Sequence, residues 1–128
     1  MSSLTVLHVD DEPDIREVAG LSLDLDPDIV LTTAESGEMA LQLLEGGLRP
    51  DVILLDVMMP RLDGPGALAR LRALPGLEQT PVIFMTARVQ TSERDRYLDL
   101  GAIGVITKPF DPMTLAGQVR DLLAGHRA

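Results

Sequence analysis

No cysteine occurs among the 128 residues, so disulfides and thiolate chemistry are excluded. Tryptophan is absent too, and Phe84, Phe110 and Tyr97 are the only aromatic residues. The core must therefore be aliphatic, and stacking on nucleobases has almost nothing to work with. Positive charge is scarce: 11 Lys and Arg stand against 20 Asp and Glu, for a formal charge of -9. That balance argues against direct nucleic-acid binding, because phosphate contacts need clustered cations. No basic region followed by an apolar run opens the chain, and its apolar segments are far too short to span a bilayer. A cytoplasmic chain with no membrane partner is expected.

What is present is an ordinary globular composition, 45% hydrophobic and 24% charged, in a length that suits one domain, 1–128. Asp51-Val52-Ile53-Leu54-Leu55-Asp56 is a continuous aliphatic run ending in a carboxylate. A strand buried on both faces has this pattern, since a half-exposed strand would alternate apolar with polar. Asp56 either starts a loop or serves a site at the strand's carboxyl end, where helix-covered parallel sheets place their ligands. Four further strands are predicted: Leu4 to Val9, Ile29 to Thr33, Val82 to Met85 with Thr86 at its end, and Ile103 to Thr107. Helical spacing of apolar residues alternates with them. Pro13 suits the first turn of the first helix, Ser36 and Asp63 are N-cap candidates, and a polar helix is expected from about Ser92 to Leu100. Asp111 as N-cap and Pro112 at the first helical position are expected to start the last helix.

Strict strand and helix alternation predicts an α/β fold: an open doubly wound five-stranded parallel sheet with five helices. In the order 2-1-3-4-5 the ends of strands one and three lie side by side at the switch point, so Asp10, Asp11 and Asp56 would meet. Three adjacent carboxylates repel one another unless a cation joins them, and a hard ion such as Mg²⁺ suits oxygen ligands. Thr86 and Lys108, at the ends of strands four and five, would aim a hydroxyl and an ammonium at an anion bound to Asp56.

These motifs together, the acidic pair Asp10-Asp11, Asp56 followed by Met59-Pro60 and Asp63-Gly64, Thr86-Ala87, and Lys108-Pro109-Phe110, resemble the receiver domain of the bacterial two-component response-regulator family. The resemblance covers essentially the whole chain and implies a flavodoxin-like fold. It implies that Asp56 is the phosphoacceptor for a histidine kinase, a histidine phosphotransfer protein or a small phosphodonor. It implies that Asp11 binds Mg²⁺ directly, Asp10 largely through water, and Met58 through its backbone carbonyl. Thr86 would bond one phosphoryl oxygen and Lys108 another, with a cis peptide bond at Pro109 aiming the lysine inward. The domain would be a phosphoacceptor that assists its own phosphorylation and dephosphorylation and switches a surface read by an unknown downstream protein. It would be a stand-alone receiver or the receiver part of a larger regulator.

One position departs from the family. Where relatives often carry Tyr or Phe three residues before the lysine, this chain has Val105; Tyr97, on the neighbouring helix, is the expected substitute at the switch surface. Glu12 is expected to cap a helix, His8 to be a neutral, hydrogen-bonded core residue, and His126 to meet the helix dipole or solvent. Arg88 and Met58 are expected to flank the site. Three other functions conflict with the residues present. A haloacid-dehalogenase-type phosphatase needs a second Asp where Met58 stands. A flavin or nucleotide module needs a phosphate loop where Asp10-Asp11-Glu12 stands. An interaction domain that is never phosphorylated has no reason to keep the five polar site residues.

Overall fold

The computed structural model describes residues 3–87 and 90–127. In chain order the elements are β1 (Leu4–Val9), α1 (Pro13–Asp24), β2 (Ile29–Ala34), α2 (Gly37–Glu45), β3 (Val52–Asp56), α3 (Gly64–Arg72), β4 (Val82–Thr86), α4 (Thr91–Asp99), β5 (Gly104–Thr107) and α5 (Leu115–Arg127). The strands form one parallel sheet in the order β2-β1-β3-β4-β5. The predicted topology is thus the observed one.

Alternation along the buried strands builds two apolar layers. Leu7, Val9, Ile53, Leu55 and Phe84 face one way and meet Ala40, Leu41 and Leu44 of α2, Ala67, Leu68 and Leu71 of α3, and Tyr97 of α4. Val6, Val52, Leu54, Ile83 and Met85 face the other way and meet Ala19 and Leu23 of α1 with Leu115, Val119 and Leu123 of α5. Every residue of β3 is buried, as its unbroken aliphatic run requires. Each such side chain withdraws enough surface from water to contribute about 1.5–3 kcal/mol, so the strand that carries Asp56 is anchored from both faces.

Helix ends follow the expected chemistry at two places and depart from it at three. Ser36 accepts a bond from Met39 N–H, and Asp63 from Gly66 N–H, as side-chain caps do. Glu12 occupies the N-cap position of α1 but makes no side-chain cap bond. Its backbone N–H donates to the Asp10 carboxylate at 3.0 Å. The spacing of Ala67, Leu68, Leu71 and Leu74 predicts a helix that Pro75-Gly76 ends, but α3 ends at Arg72, because Ala73 and Leu74 turn back onto the carbonyls of Arg70 and Leu71. Arg72 then closes the following loop on the carbonyls of Leu77 and Thr80. α5 starts at Leu115 rather than Pro112: Asp111 caps a turn through Met113 N–H at 2.9 Å. The Pro112 carbonyl, which a helix from that residue would aim at Ala116, accepts the buried Ser22 hydroxyl of α1 instead.

Candidate functional site

β1 and β3 are neighbours, with Val9 in register with Leu55, so the residues just past both strands emerge together. Oxygen atoms of Asp10, Asp11 and Asp56 lie within 4.8 Å of one another. Asp10 and Asp56 are buried, and Asp11 is half-buried. Lys108, the only lysine in the sequence, reaches them from the end of β5. Its Nζ lies 3.1 Å from Asp10 Oδ2 and 3.0 Å from Asp56 Oδ1. The Lys108–Pro109 peptide bond is cis, as the resemblance implied.

The second carboxylate oxygen of Asp56, Oδ2, is buried and has no hydrogen-bond partner among the described residues. A cavity of about 320 Å³ opens beside it, lined by Glu12, Ile15, Asp56, Met58, Ala87, Lys108 and Pro109. Thr86, buried at the end of β4, borders an adjoining cavity of about 420 Å³ together with Val57, Met58 and Tyr97. The larger space between α1 and α5, about 770 Å³, touches none of the carboxylates of this group.

Electrostatics single out one member of the trio. Burial, chiefly, pushes the Asp56 carboxyl up from 3.8 to about 6; the charges of Asp10 and Asp11 add to the rise, and Lys108 opposes it. Lys108 loses hydration on burial, but its bonds to Asp56 and Asp10 more than compensate and hold it above its ordinary value. The set thus has more negative charge than one ammonium balances. An unpartnered, buried Asp56 oxygen beside two further carboxylates is a donor set that fits a divalent cation with oxygen ligands.

Several neighbours were not marked out by the sequence. Arg16 donates to the Asp10 carbonyl at 2.7 Å and pins the loop that carries the acidic pair; its position one turn into the helix that follows that pair was the only hint. Arg61, at φ 67, is the non-glycine residue with positive φ among the described residues, and it ties the loop after Asp56 to α2 through Glu38 at 2.8 Å. Tyr97 is not on the surface. It is 5% exposed and packs against Phe84 with ring centroids 5.2 Å apart, while Val105 lies in register with Phe84 at the edge of the same core layer. Arg88 lies outside the described residues.

His8 is buried as expected, but it is not hydrogen-bonded: neither ring nitrogen has a partner among the described residues. Burial drives its pKa from 6.5 down to about 4, against the pull of Asp10 and with the help of Lys108 and Arg16. The unfolded chain therefore binds this proton more readily, so stability is lost as pH falls from about 6.5 towards 4. From pH 8 to pH 5 the His8 share of that loss is about 2 kcal/mol, which His8→Leu should remove. Urea unfolding of both chains at the two pH values measures it, and equal pH dependence in both overturns the assignment.

Five parallel strands in this order, with carboxylates at the switch point and a lysine facing them, define a doubly wound α/β module with its site at the carboxyl ends of the strands. The chain belongs to the response regulator receiver domain family, whose family model matches residues 6–120. It is therefore a receiver domain of two-component signalling. Response regulator Rre1 of Synechocystis is 36% identical over 98% of this chain and 54% of its own length. Among solved structures, the chemotaxis response regulator CheY4 of Vibrio cholerae superposes with a TM-score of 0.85 at 30% identity, covering 94% of this chain and 99% of that one. The Francisella response regulator 1452 receiver domain gives 0.83 at 32% identity, covering 97% and 99%. The chain spans about half the length of Rre1. Among the described residues, no helix is long and apolar enough to cross a membrane.

Proposed function

We propose that Asp56 accepts a phosphoryl group from the phosphohistidine of a histidine kinase or histidine phosphotransfer protein, or from a small phosphodonor. Asp56 itself carries this proposal: one oxygen is held by Lys108, and the other is buried and unpartnered beside an open cavity. The carboxylate oxygen attacks phosphorus, the bond from phosphorus to the donor nitrogen breaks, and the imidazole leaves with the electron pair. The product is an acyl phosphate, which water returns to carboxylate and inorganic phosphate.

Asp10, Asp11, Asp56 and the Met58 carbonyl would hold Mg²⁺, with Asp11 bound directly and Asp10 largely through water. Bound there, the ion would supply positive charge against the carboxylates and the incoming phosphoryl oxygens. Lys108 then exchanges a carboxylate for a phosphoryl oxygen, and the Thr86 hydroxyl takes another. A pKa of about 6 leaves Asp56 ionised at neutral pH, as a nucleophile must be.

Residues 1–128 act in this account as one receiver domain. It works as a cytoplasmic signalling domain that assists its own phosphorylation and dephosphorylation, with a downstream protein as its target and no nucleic-acid contact of its own. Movement of Thr86 toward the phosphoryl group is passed on through the adjoining cavity to Tyr97 and α4, with Val105 alongside in place of an aromatic ring.

Acetyl phosphate with Mg²⁺ should add one phosphoryl group to the chain, seen by intact-mass spectrometry, and chelation or Asp56→Asn should abolish it. An undiminished adduct on the variant overturns the mechanism. In the phosphorylated native chain, backbone NMR shifts should extend along α4; if Tyr97→Ala leaves them intact, Tyr97 has no part in the switch.

A further inference from the structure

The chain has no cysteine, so thioethers are its only sulfur. Met85 and Met59 are 0% and 8% exposed and Met39 is 38%, while Met58 is 77% and Met113 78% exposed. Met58 is two residues past Asp56 and lines two cavities: the one beside Asp56 and Lys108, and the one beside Thr86 and Tyr97. An exposed thioether thus belongs to a residue that borders both the acceptor carboxylate and Thr86. Met113, equally exposed, lies on the separate groove between α1 and α5.

We infer that Met58 is a site of reversible oxidation by peroxide, and that its sulfoxide shortens the life of the acyl phosphate on Asp56. The step balances without a further reagent: a sulfur lone pair attacks one peroxide oxygen, the O–O bond breaks as the S–O bond forms, and water leaves. Sulfur loses two electrons and the peroxide gains them. The product replaces an apolar, water-shedding group with a strong hydrogen-bond acceptor. Placed at the mouth of the Asp56 cavity, that acceptor draws water to the position from which the acyl phosphate is hydrolysed. Methionine sulfoxide reductases, which recognise exposed sulfoxides, would reverse the change. The same oxidation at Met113 touches neither cavity and leaves the acyl phosphate alone.

The effect on lifetime rests on Asp56 being the phosphoacceptor; the selectivity of oxidation does not. The test treats the native, Met113→Leu and Met58→Leu chains with graded hydrogen peroxide and maps sulfoxides by peptide mass spectrometry. Met58 and Met113 should oxidise well before Met59 and Met85. Each chain is then loaded with acetyl phosphate and Mg²⁺, and loss of the phosphoryl group is followed by intact mass. Oxidised Met113→Leu should lose it about threefold faster than the same chain untreated, the factor that part of one added hydrogen bond gives. Reductase treatment should restore the slower rate, and Met58→Leu should not respond to peroxide. Met58 oxidising no faster than the buried methionines, an unchanged lifetime with Met58 fully oxidised, or an equal response in Met58→Leu each overturns the inference. Failure of the untreated native chain to take up phosphate at all overturns the phosphoacceptor reading and the lifetime effect with it.

Discussion

Replacing Lys108 with methionine should destabilise the domain by about 3 kcal/mol at pH 8 in a chelating buffer, and by much less at pH 5. The substitution keeps the aliphatic stem and removes the one ammonium that stands 3.0–3.1 Å from Asp56 and Asp10. Both carboxylates are buried, so neither recovers in water what it loses in the lysine. The pH dependence follows from Asp56, whose pKa is already raised from 3.8 to about 6 with Lys108 in place. Without the lysine's hydrogen bond and charge it rises further, so the folded variant holds a proton over a wider range. Its stability then falls as pH climbs through that range. Urea midpoints of native and variant chains at the two pH values check this, and coincident midpoints at pH 8 overturn it. Saturating Mg²⁺ should recover much of the deficit, because a ligand that binds only the folded state stabilises it.

Gly64→Ala should cost about 3 kcal/mol for a steric reason centred on the same residue. A Cβ at position 64 would lie 2.6 Å from the Asp56 carbonyl oxygen, 2.9 Å from Val57 Cα and 3.1 Å from Phe84 Cε1. Two of these three are backbone atoms of the acceptor strand and its loop, which cannot swing aside as a flexible side chain can. Relief would move the start of α3 away from β3, stretching the 2.9 Å bond from Gly64 N–H to the Val57 carbonyl. Phosphoryl uptake on Asp56 should therefore fall as well, measured below the variant's melting range. Gly117→Ala in α5, where a Cβ meets nothing within 4 Å, is the control. It should gain about 0.5–1 kcal/mol, because alanine has less backbone freedom to lose in a helix. Equal melting temperatures for Gly64→Ala and the native chain overturn the close-packing argument.

The strands were legible because their signal is local. Val52 to Leu55 is apolar without a break, and a doubly buried strand is the economical explanation; the structure buries every residue there. Polar residues closing those runs were equally plain: Asp10, Asp56, Thr86 and Lys108 all emerge at one edge of the sheet. Less legible was what competes for a local group from afar. Pro112 looked like a helix start until Ser22, ninety positions away, proved to hold its carbonyl. Glu12 looked like a cap, but its side chain makes no cap bond, while its backbone N–H goes to the Asp10 carboxylate. Tyr97 was expected at the switch surface, yet it packs against Phe84 within the core layer beneath α4 and is buried.

The amino-acid order by itself determined the class of fold and the residue types at the carboxyl ends, since periodicity, turn chemistry and strand-terminal charge are written within short windows. Tertiary structure alone decided how those residues share charge. Lys108 bridges Asp10 and Asp56 across 98 positions of chain, Asp56 keeps one oxygen buried and unpartnered, and Gly64 lies close enough to the strand end to admit no side chain. The reason is physical: pairing, desolvation and steric exclusion depend on distances between segments, and only the packed sheet with its two helical layers sets those distances.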